Sequence, residues 1–292
     1  MTIVASTRAE MMAAREAQSF AQVAVVMTMG ALHAGHVSLM QHARQLIGPD
    51  GHLVVTVFVN PTQFAAGEDF DRYPRTLQAD VGLCAGAGVD VVFAPSVEEV
   101  YGTARDRQAA EPITVDPGPL GSVLEGAARP GHFRGVLTVV ATLLHLTRPA
   151  IACFGEKDYQ QLVLIRSMAE DLRFGVQIEG VETVREHDGL AMSSRNRYLG
   201  ESERAAAAVV PACLEAAIAA AAHGPQAAQA AALEVLAREP RAEVDYVAIT
   251  DPMLGAPIPG PGRVLVAVRI GSTRLIDNMA CQVGAPAGRG AR

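Results

Sequence analysis

The chain has 292 residues, half of them hydrophobic, with 24 Lys and Arg against 31 Asp and Glu for a net charge of −7. That length suits one large α/β domain or a main domain with a smaller partner. With no run of basic residues, the negative balance argues against a nucleic-acid protein, which needs a clustered positive face, but leaves room for a local cationic pocket.

Four cysteines, Cys84, Cys153, Cys213 and Cys281, lie far apart with no C-x-x-C pair, so they read as buried thiols in a reducing compartment. Met1 to Glu10 lacks an apolar core of the kind a signal peptide carries. The most apolar long stretch, Ala205 to Ala222, is mainly alanine and holds Pro211 and Glu215, so an amphipathic surface helix explains it better than a membrane span. Together these predict a soluble cytoplasmic protein.

In chain order, the first strand candidate is Val23–Met27. It runs into Met29-Gly-Ala-Leu-His-Ala-Gly-His36, and helical periodicity continues over Val37–Ile47. A helix N-terminus offers unpaired N–H groups and a positive dipole end, which suits phosphate. Gly30 and Gly35 let the backbone approach a ligand. His33 and His36 can donate to phosphoryl oxygens; the plainer alternative is two ordinary polar residues at a helix start.

A second strand, Leu53–Val59, leads into Phe58-Val-Asn-Pro-Thr-Gln-Phe64. Asn60 and Gln63 are uncharged amides suited to hydroxyl and carboxylate oxygens, although Asn60-Pro61 also reads simply as a turn. A helix over Thr76–Ala87, a strand over Val89–Phe93 and a helix over Val136–Leu146 follow.

The strand Ile151–Phe154 opens onto Phe154-Gly-Glu-Lys-Asp-Tyr-Gln-Gln161 and a helix over Gln160–Asp171. Gly155 provides the turn and Asp158 a helix cap. Lys157 is the only lysine in the chain, against 23 arginines. A sequence that otherwise uses arginine, yet keeps one lysine at a strand-to-helix turn, points to a need for a compact ammonium there. A solvated turn is the alternative.

Beyond a last strand, Val176–Val181, the pattern changes. Gly189-Leu-Ala-Met-Ser-Ser-Arg-Asn196 sets Ser193 and Ser194 beside Arg195, which fits a loop over a polyphosphate and also fits ordinary turn chemistry. Ala-rich helices over Glu201–Ala222 and Gln226–Arg238 precede antiparallel strand candidates at Val244–Thr250, Arg263–Arg269 and Arg274–Asp277. Gly284–Arg292 reads as a disordered tail. The prediction is an α/β protein, with a mainly parallel, Rossmann-like sheet domain over residues 1–183 and a smaller α+β domain over residues 184–292.

The segments MGALHAGH, FVNPTQF, YPRT, HFRGVLTVV, FGEKDYQQ, DGLAMSSRN and STRLIDN, from Met29 to Asn278, together resemble the pantothenate synthetase (pantoate–β-alanine ligase) family. H-x-G-H alone resembles only the wider nucleotidyltransferase superfamily, which includes class I aminoacyl-tRNA synthetases. The family resemblance implies a Rossmann-like domain with a C-terminal lid, a homodimer, and small-molecule substrates: ATP, pantoate and β-alanine. It implies that pantoate attacks MgATP to give pantoyl adenylate, and that β-alanine then displaces AMP.

Carried over by motif, His33, His36 and Lys157 would be catalytic. ATP would be held by Met29, Gly30, His33, His36, Gly155, Lys157, Asp158, Val184, Met192, Ser193, Ser194 and Arg195. Gln63, Gln161 and Asn60 would hold pantoate and β-alanine, and Asp80, after YPRT, fits an acidic position linked to Mg²⁺. Met27 stands where the family usually has proline. The rivals are another adenylyl transferase of the same fold, a silent ATP sensor, and a tRNA synthetase. Uncharged Gln63 and Gln161 favour a polyol carboxylic acid over a phosphate acceptor.

Overall fold

The computed structural model describes residues 2–17, 22–64, 69–102 and 113–285. The chain divides into two compact units, Met1–Gly155 with Leu164–Val181 and Glu156–Val163 with Glu182–Arg292.

The first unit contains β1 (Ile3–Ala5), α1 (Arg8–Glu16), β2 (Val23–Thr28), α2 (Ala34–Ile47), β3 (His52–Val57), α3 (Leu77–Gly86), β4 (Val91–Phe93), α4 (Val97–Tyr101), α5 (Glu125–Ala128), α6 (His132–Thr147) and β5 (Ile151–Gly155). Next come α7 (Tyr159–Asp171), whose first residues belong to the second unit, and β6 (Gln177–Val181). The six strands form one sheet in the order β1-β4-β3-β2-β5-β6, every pair parallel.

Consecutive residues Val23 to Val26 of β2 are all buried, the signature of a parallel strand covered on both faces. Ala24, Val26, Leu53, Val55, Val92 and Cys153 share one core with Met40, Ala43 and Ile47 of α2. Those three lie at helical spacing on one face, and a buried side chain the size of Met40 contributes about 1.5–3 kcal/mol.

The chain steps from β2 outward through β3 and β4, whereas β5 and β6 lie on the other side of β2. The direction of winding therefore reverses between β2 and β5. In open α/β sheets, ligands bind beyond the carboxyl ends of the strands at such a reversal.

The second unit holds α8 (Glu201–Ala206), α9 (Val209–Ala220), α10 (Pro225–Leu236) and an antiparallel sheet of β7 (Ala242–Thr250), β8 (Gly260–Ile270) and β9 (Thr273–Val283). Val264, Val266, Val268 and Ile270, at strand period two, pack with Val210, Cys213, Leu214 and Ala217 of α9 and Ala228, Ala232 and Leu236 of α10. The run Glu201–His223 is long and apolar enough to cross a membrane by composition, but its apolar face is part of this core. The expected disordered tail lies outside the described residues from 286 onward, and Gly284 donates its N–H to Ala221 O at 2.8 Å.

Candidate active site

β2 ends at Thr28, and α2 begins at Ala34. His33 is the N-cap of α2, in extended conformation at φ −142° and ψ 179°. Its Nδ1 accepts the N–H of Gly35 at 3.2 Å, and Nδ1 of His36 accepts the N–H of His33 at 3.2 Å. This is a capping box built from two imidazoles instead of Ser and Glu. Because each Nδ1 accepts, each neutral ring carries its proton on Nε2 and turns a donor away from the helix backbone. The two ring centroids are 4.1 Å apart.

The turn that delivers these rings is strained and braced. Gly30 has φ +82° and Ala31 φ +50°, two consecutive residues in the left-handed region. Asp80, at the start of α3 and 1% exposed, accepts the N–H of Ala31 on Oδ2 at 3.1 Å and that of Leu32 on Oδ1 at 2.8 Å. Thr76 donates its hydroxyl to the same carboxylate, 3.2 Å from each oxygen. Thr28 Oγ1 accepts the Gly30 N–H at 3.2 Å and donates to Thr56 O. A Cβ on Gly30 would come within 3.0 Å of Asp80 Oδ2 and 3.1 Å of Val57. Met27 is paired with Thr56 inside β2, so Thr28 and Asp80, not a proline, fix the backbone that follows.

β3 ends at Val57, and the next turn is a 3₁₀ helix over Pro61–Gln63. Asn60, 1% exposed, accepts on Oδ1 from Thr62 N–H, Thr62 Oγ1 and Tyr101 OH, and donates from Nδ2 to Gln63 Oε1 and Gly135 O. Both ends of its amide are thus engaged within the protein. An amide oxygen only accepts, so the Tyr101 hydroxyl is the donor in that contact, and burial pushes its pKa up. Gln63, half-buried, donates Nε2–H to Met29 Sδ at 2.8 Å, joining the turn after β3 to the turn after β2. Its carbonyl accepts from His132 Nδ1 at 2.8 Å and Arg129 Nη2 at 3.3 Å. α6 passes so close that a Cβ on Gly135 would lie 2.2 Å from Thr62 O, which explains the glycine of HFRGVLTVV.

β5 ends at Gly155 and is followed by a 3₁₀ turn, Glu156–Asp158, that belongs to the second unit. The Lys157 ammonium lies 3.9 Å from Asp158 Oδ1, and the lysine side chain as a whole is about four-fifths buried. Gln160 is buried and Gln161 half-buried, both in the first turn of α7. Val184 and Met192 face each other across a hairpin, Met192 N–H donating to Val184 O at 2.9 Å, with Gly189 at φ +87° in its bend. Ser193 then caps a 3₁₀ turn over Ser194–Tyr198 by accepting the Arg195 N–H at 3.3 Å. Arg204 grips the hairpin by donating to Glu186 at 2.7 Å and Asp188 at 2.6 Å, and these bonds hold the Asp188 carboxyl down at about 2.

Four separate strand-to-loop junctions therefore carry the residues picked out by motif, with Met29–His36 sitting where the sheet's winding reverses. Burial pushes the thiol of Cys84 up to about 11 and those of Cys153 and Cys213 up to about 12, and removes them from consideration as nucleophiles.

The model of the pantoate-beta-alanine ligase family matches residues 2–280. The chain belongs to the pantoate-beta-alanine ligase family. It is 52% identical to the pantothenate synthetase of a Nocardioides species, over 98% of this chain and 88% of that protein. It is 53% identical to that of Salinispora arenicola, over 97% and 99%. A crystal structure of pantothenate synthetase from Thermus thermophilus superposes with a TM-score of 0.85 at 44% identity, covering 95% of this chain and 98% of that one. That of the Francisella tularensis ligase, complexed with beta-gamma ATP and beta-alanine, gives 0.78 at 31%, covering 96% and 97%.

Several supporting residues of this chain lie outside the motif assignments. Thr28, Thr76, Tyr101, Arg129 and His132 hold the turns just described. Arg129 and His132 flank the Pro-Gly that precedes α6; His132 opens the HFRGVLTVV segment, and no sequence feature singles out Arg129. Thr76 is the N-cap of α3 but makes no capping bond, because its hydroxyl is turned onto Asp80.

Proposed function

We propose that this chain joins pantoate to β-alanine through a pantoyl adenylate. The pantoate carboxylate attacks the α-phosphorus of ATP, a P–O bond forms as pyrophosphate leaves, and the β-alanine amine then attacks the acyl carbon and expels AMP. The observation that carries this reading is the pair of imidazoles capping α2 at the winding reversal, each with Nδ1 engaged by a backbone N–H.

Negative charge grows on the phosphoryl oxygens as pyrophosphate departs. Preorganised N–H donors at a helix N-terminus stabilise that charge without reorganising during the reaction. We assign His33 and His36 to this role, with Met29 and Gly30 lining the backbone approach. Lys157, which adds a compact positive charge, is assigned to ATP as well, together with Gly155, Asp158, Val184, Met192, Ser193, Ser194 and Arg195. Gln63 and Gln161 are assigned to pantoate. Uncharged amides hold its hydroxyls and carboxylate without neutralising the nucleophile. Asn60, with its own amide engaged, orients Gln63 and leaves the substrate contact to it.

Mg²⁺ enters with ATP as part of the substrate and neutralises phosphoryl charge. Among the described residues no group of three or more His, Cys, Asp or Glu side chains is placed to hold a metal. Asp80, buried and accepting from two backbone N–H groups and a hydroxyl, suits the bracing of the Ala31–Leu32 turn better than metal ligation. The assembly is proposed as a cytoplasmic homodimer on the family resemblance; light scattering of the purified chain tests the dimer.

Product analysis tests the chemistry. Incubation with ATP, Mg²⁺, pantoate and β-alanine should yield pantothenate and AMP in equal amounts. ADP in place of AMP would mean an acyl phosphate and reject the adenylate.

A further inference from the structure

We propose that Asn278 is a positioning residue for Lys157, and that the STRLIDN segment near the end of the chain acts on the reaction through the turn at Glu156–Asp158. The inference rests on the assignment of Lys157 to ATP made above.

β9 alternates its side chains between two faces. Leu275, Cys281 and Val283 point to the core shared with α9 and α10, so Asn278 points to the opposite face. There Asn278, 3% exposed, donates from Nδ2 to the carbonyl oxygens of both Glu156 and Lys157, each at 2.9 Å. Its Oδ1 accepts from Arg263 Nε at 2.7 Å. Arg263, on the same face of β8 and 9% exposed, reaches on to Glu156 Oε2 at 2.8 Å. Its guanidinium stacks 3.8 Å above the Tyr159 ring, whose hydroxyl donates to Pro252 O at 3.0 Å.

The backbone is therefore held immediately before Lys157 and at Lys157 itself. A three-residue 3₁₀ turn has poor internal hydrogen bonding and does not fix its own geometry. With the carbonyls clamped, only the four torsions of the lysine side chain stay open. The chemistry of the clamp selects the residue type. It needs two N–H donors on one nitrogen and an acceptor beside it, which only Asn and Gln provide, and Gln is one carbon longer. Asp has no donor, and a hydroxyl has one.

The neighbouring residue makes the matching grip on the other face. Asp277, 2% exposed, takes a bidentate pair from Arg185 at 2.6 and 3.0 Å, and Arg185 donates onward to Gly189 O at 2.9 Å. Two consecutive residues of β9 thus fasten the Lys157 turn and the hairpin that leads into Met192–Arg195 to one sheet.

A purely structural Asn278 would depress every activity equally, whatever residue stands at 157. One acting through Lys157 loses its effect once the lysine is gone. The experiment measures pantoate-dependent exchange of pyrophosphate into ATP, together with thermal unfolding, for Lys157→Ala, Asn278→Ala, Asn278→Asp and the double variant Lys157→Ala/Asn278→Ala. A misplacement of about an ångström at a catalytic group costs up to about a hundredfold. Each Asn278 variant should therefore slow exchange by about ten- to a hundredfold while still unfolding cooperatively. The double variant should match Lys157→Ala within about twofold. Asn278→Ala multiplying the loss of Lys157→Ala as fully as it slows the wild type would overturn the proposal. So would near-normal exchange in both Asn278 variants, or loss of cooperative unfolding in both. Near-normal exchange in Lys157→Ala would instead remove Lys157 from the ATP chemistry, and the proposal with it.

Discussion

The turn after β2 and the turn after β5 are both assigned to the nucleotide, yet they are braced by opposite chemistry. At Ala31–Leu32 the exposed backbone groups are N–H donors, and a buried carboxylate, Asp80, collects them. At Glu156–Lys157 they are carbonyl acceptors, and a buried amide, Asn278, supplies the donors. The first brace comes from the helix that follows β3, within the sheet unit. The second comes from a strand about 120 residues away in the smaller unit. In each case the sequence motif holds the group assigned to the substrate, and the residue that fixes its geometry lies elsewhere.

The largest effects should come from the chemical groups themselves. His36→Ala and Lys157→Ala should each lower the adenylation rate at least about a hundredfold, read as pyrophosphate exchange, with far-UV circular dichroism unchanged. Near-normal turnover in both would dissolve the comparison, since neither turn would then matter to the reaction.

One step down is the carboxylate brace. Asp80→Asn keeps the size but faces two N–H donors with a group that is itself half donor, leaving a buried N–H unpaired at a cost of about 1–3 kcal/mol. Adenylation should slow about tenfold, by the energy of roughly one such bond, while the Mg²⁺ concentration giving half-maximal rate stays fixed. A marked rise in that concentration would make Asp80 a metal contact and end its parallel with Asn278.

Smaller in rate, and visible chiefly in stability, is the close passage of α6. A Cβ at Gly135 meets the backbone oxygen of Thr62, which no rotamer change relieves. Gly135→Ala should therefore destabilise by about 2 kcal/mol despite alanine's better helix propensity, as chemical denaturation would measure. A more stable variant would show that the turn over Pro61–Gln63 yields easily.

The smallest effect concerns the hairpin. Arg204 holds Asp188 at about 2 against an ordinary 3.8. A depressed carboxyl stabilises above its unfolded value and loses that contribution as pH falls through its folded one. Stability should thus fall between about pH 4 and about pH 2 in the wild type more steeply than in Asp188→Asn. Identical acid profiles would show that this ion pair is solvated and idle.

The sheet unit was legible because its strands are short, β-branched and separated by helical periodicity, as in Val23–Met27 and Val37–Ile47. β1 and α1 were not. Ile3–Ala5 is too short to show a period, and the start of α1 is marked only by the capping box of Thr7 and Glu10. The candidate site residues stand out in the sequence wherever a rare residue type sits beside a glycine at a strand end, as in His33-Ala-Gly-His36 and the solitary Lys157. The bracing was not legible. Nothing in local spacing says that Asp80 reaches back to Ala31, or that Asn278 reaches Lys157, because such contacts exist only once the strands have paired. By sequence Asn60 fits either a substrate contact or a turn residue, and its five internal hydrogen bonds are those of a turn residue.

The most direct test of the adenylate mechanism omits β-alanine. With the chain, ATP, Mg²⁺ and labelled pyrophosphate, label should enter ATP only when pantoate is added, because only then does a reversible adenylate form. Label entering ATP without pantoate, or no exchange with pantoate under conditions where pantothenate is made, would contradict it.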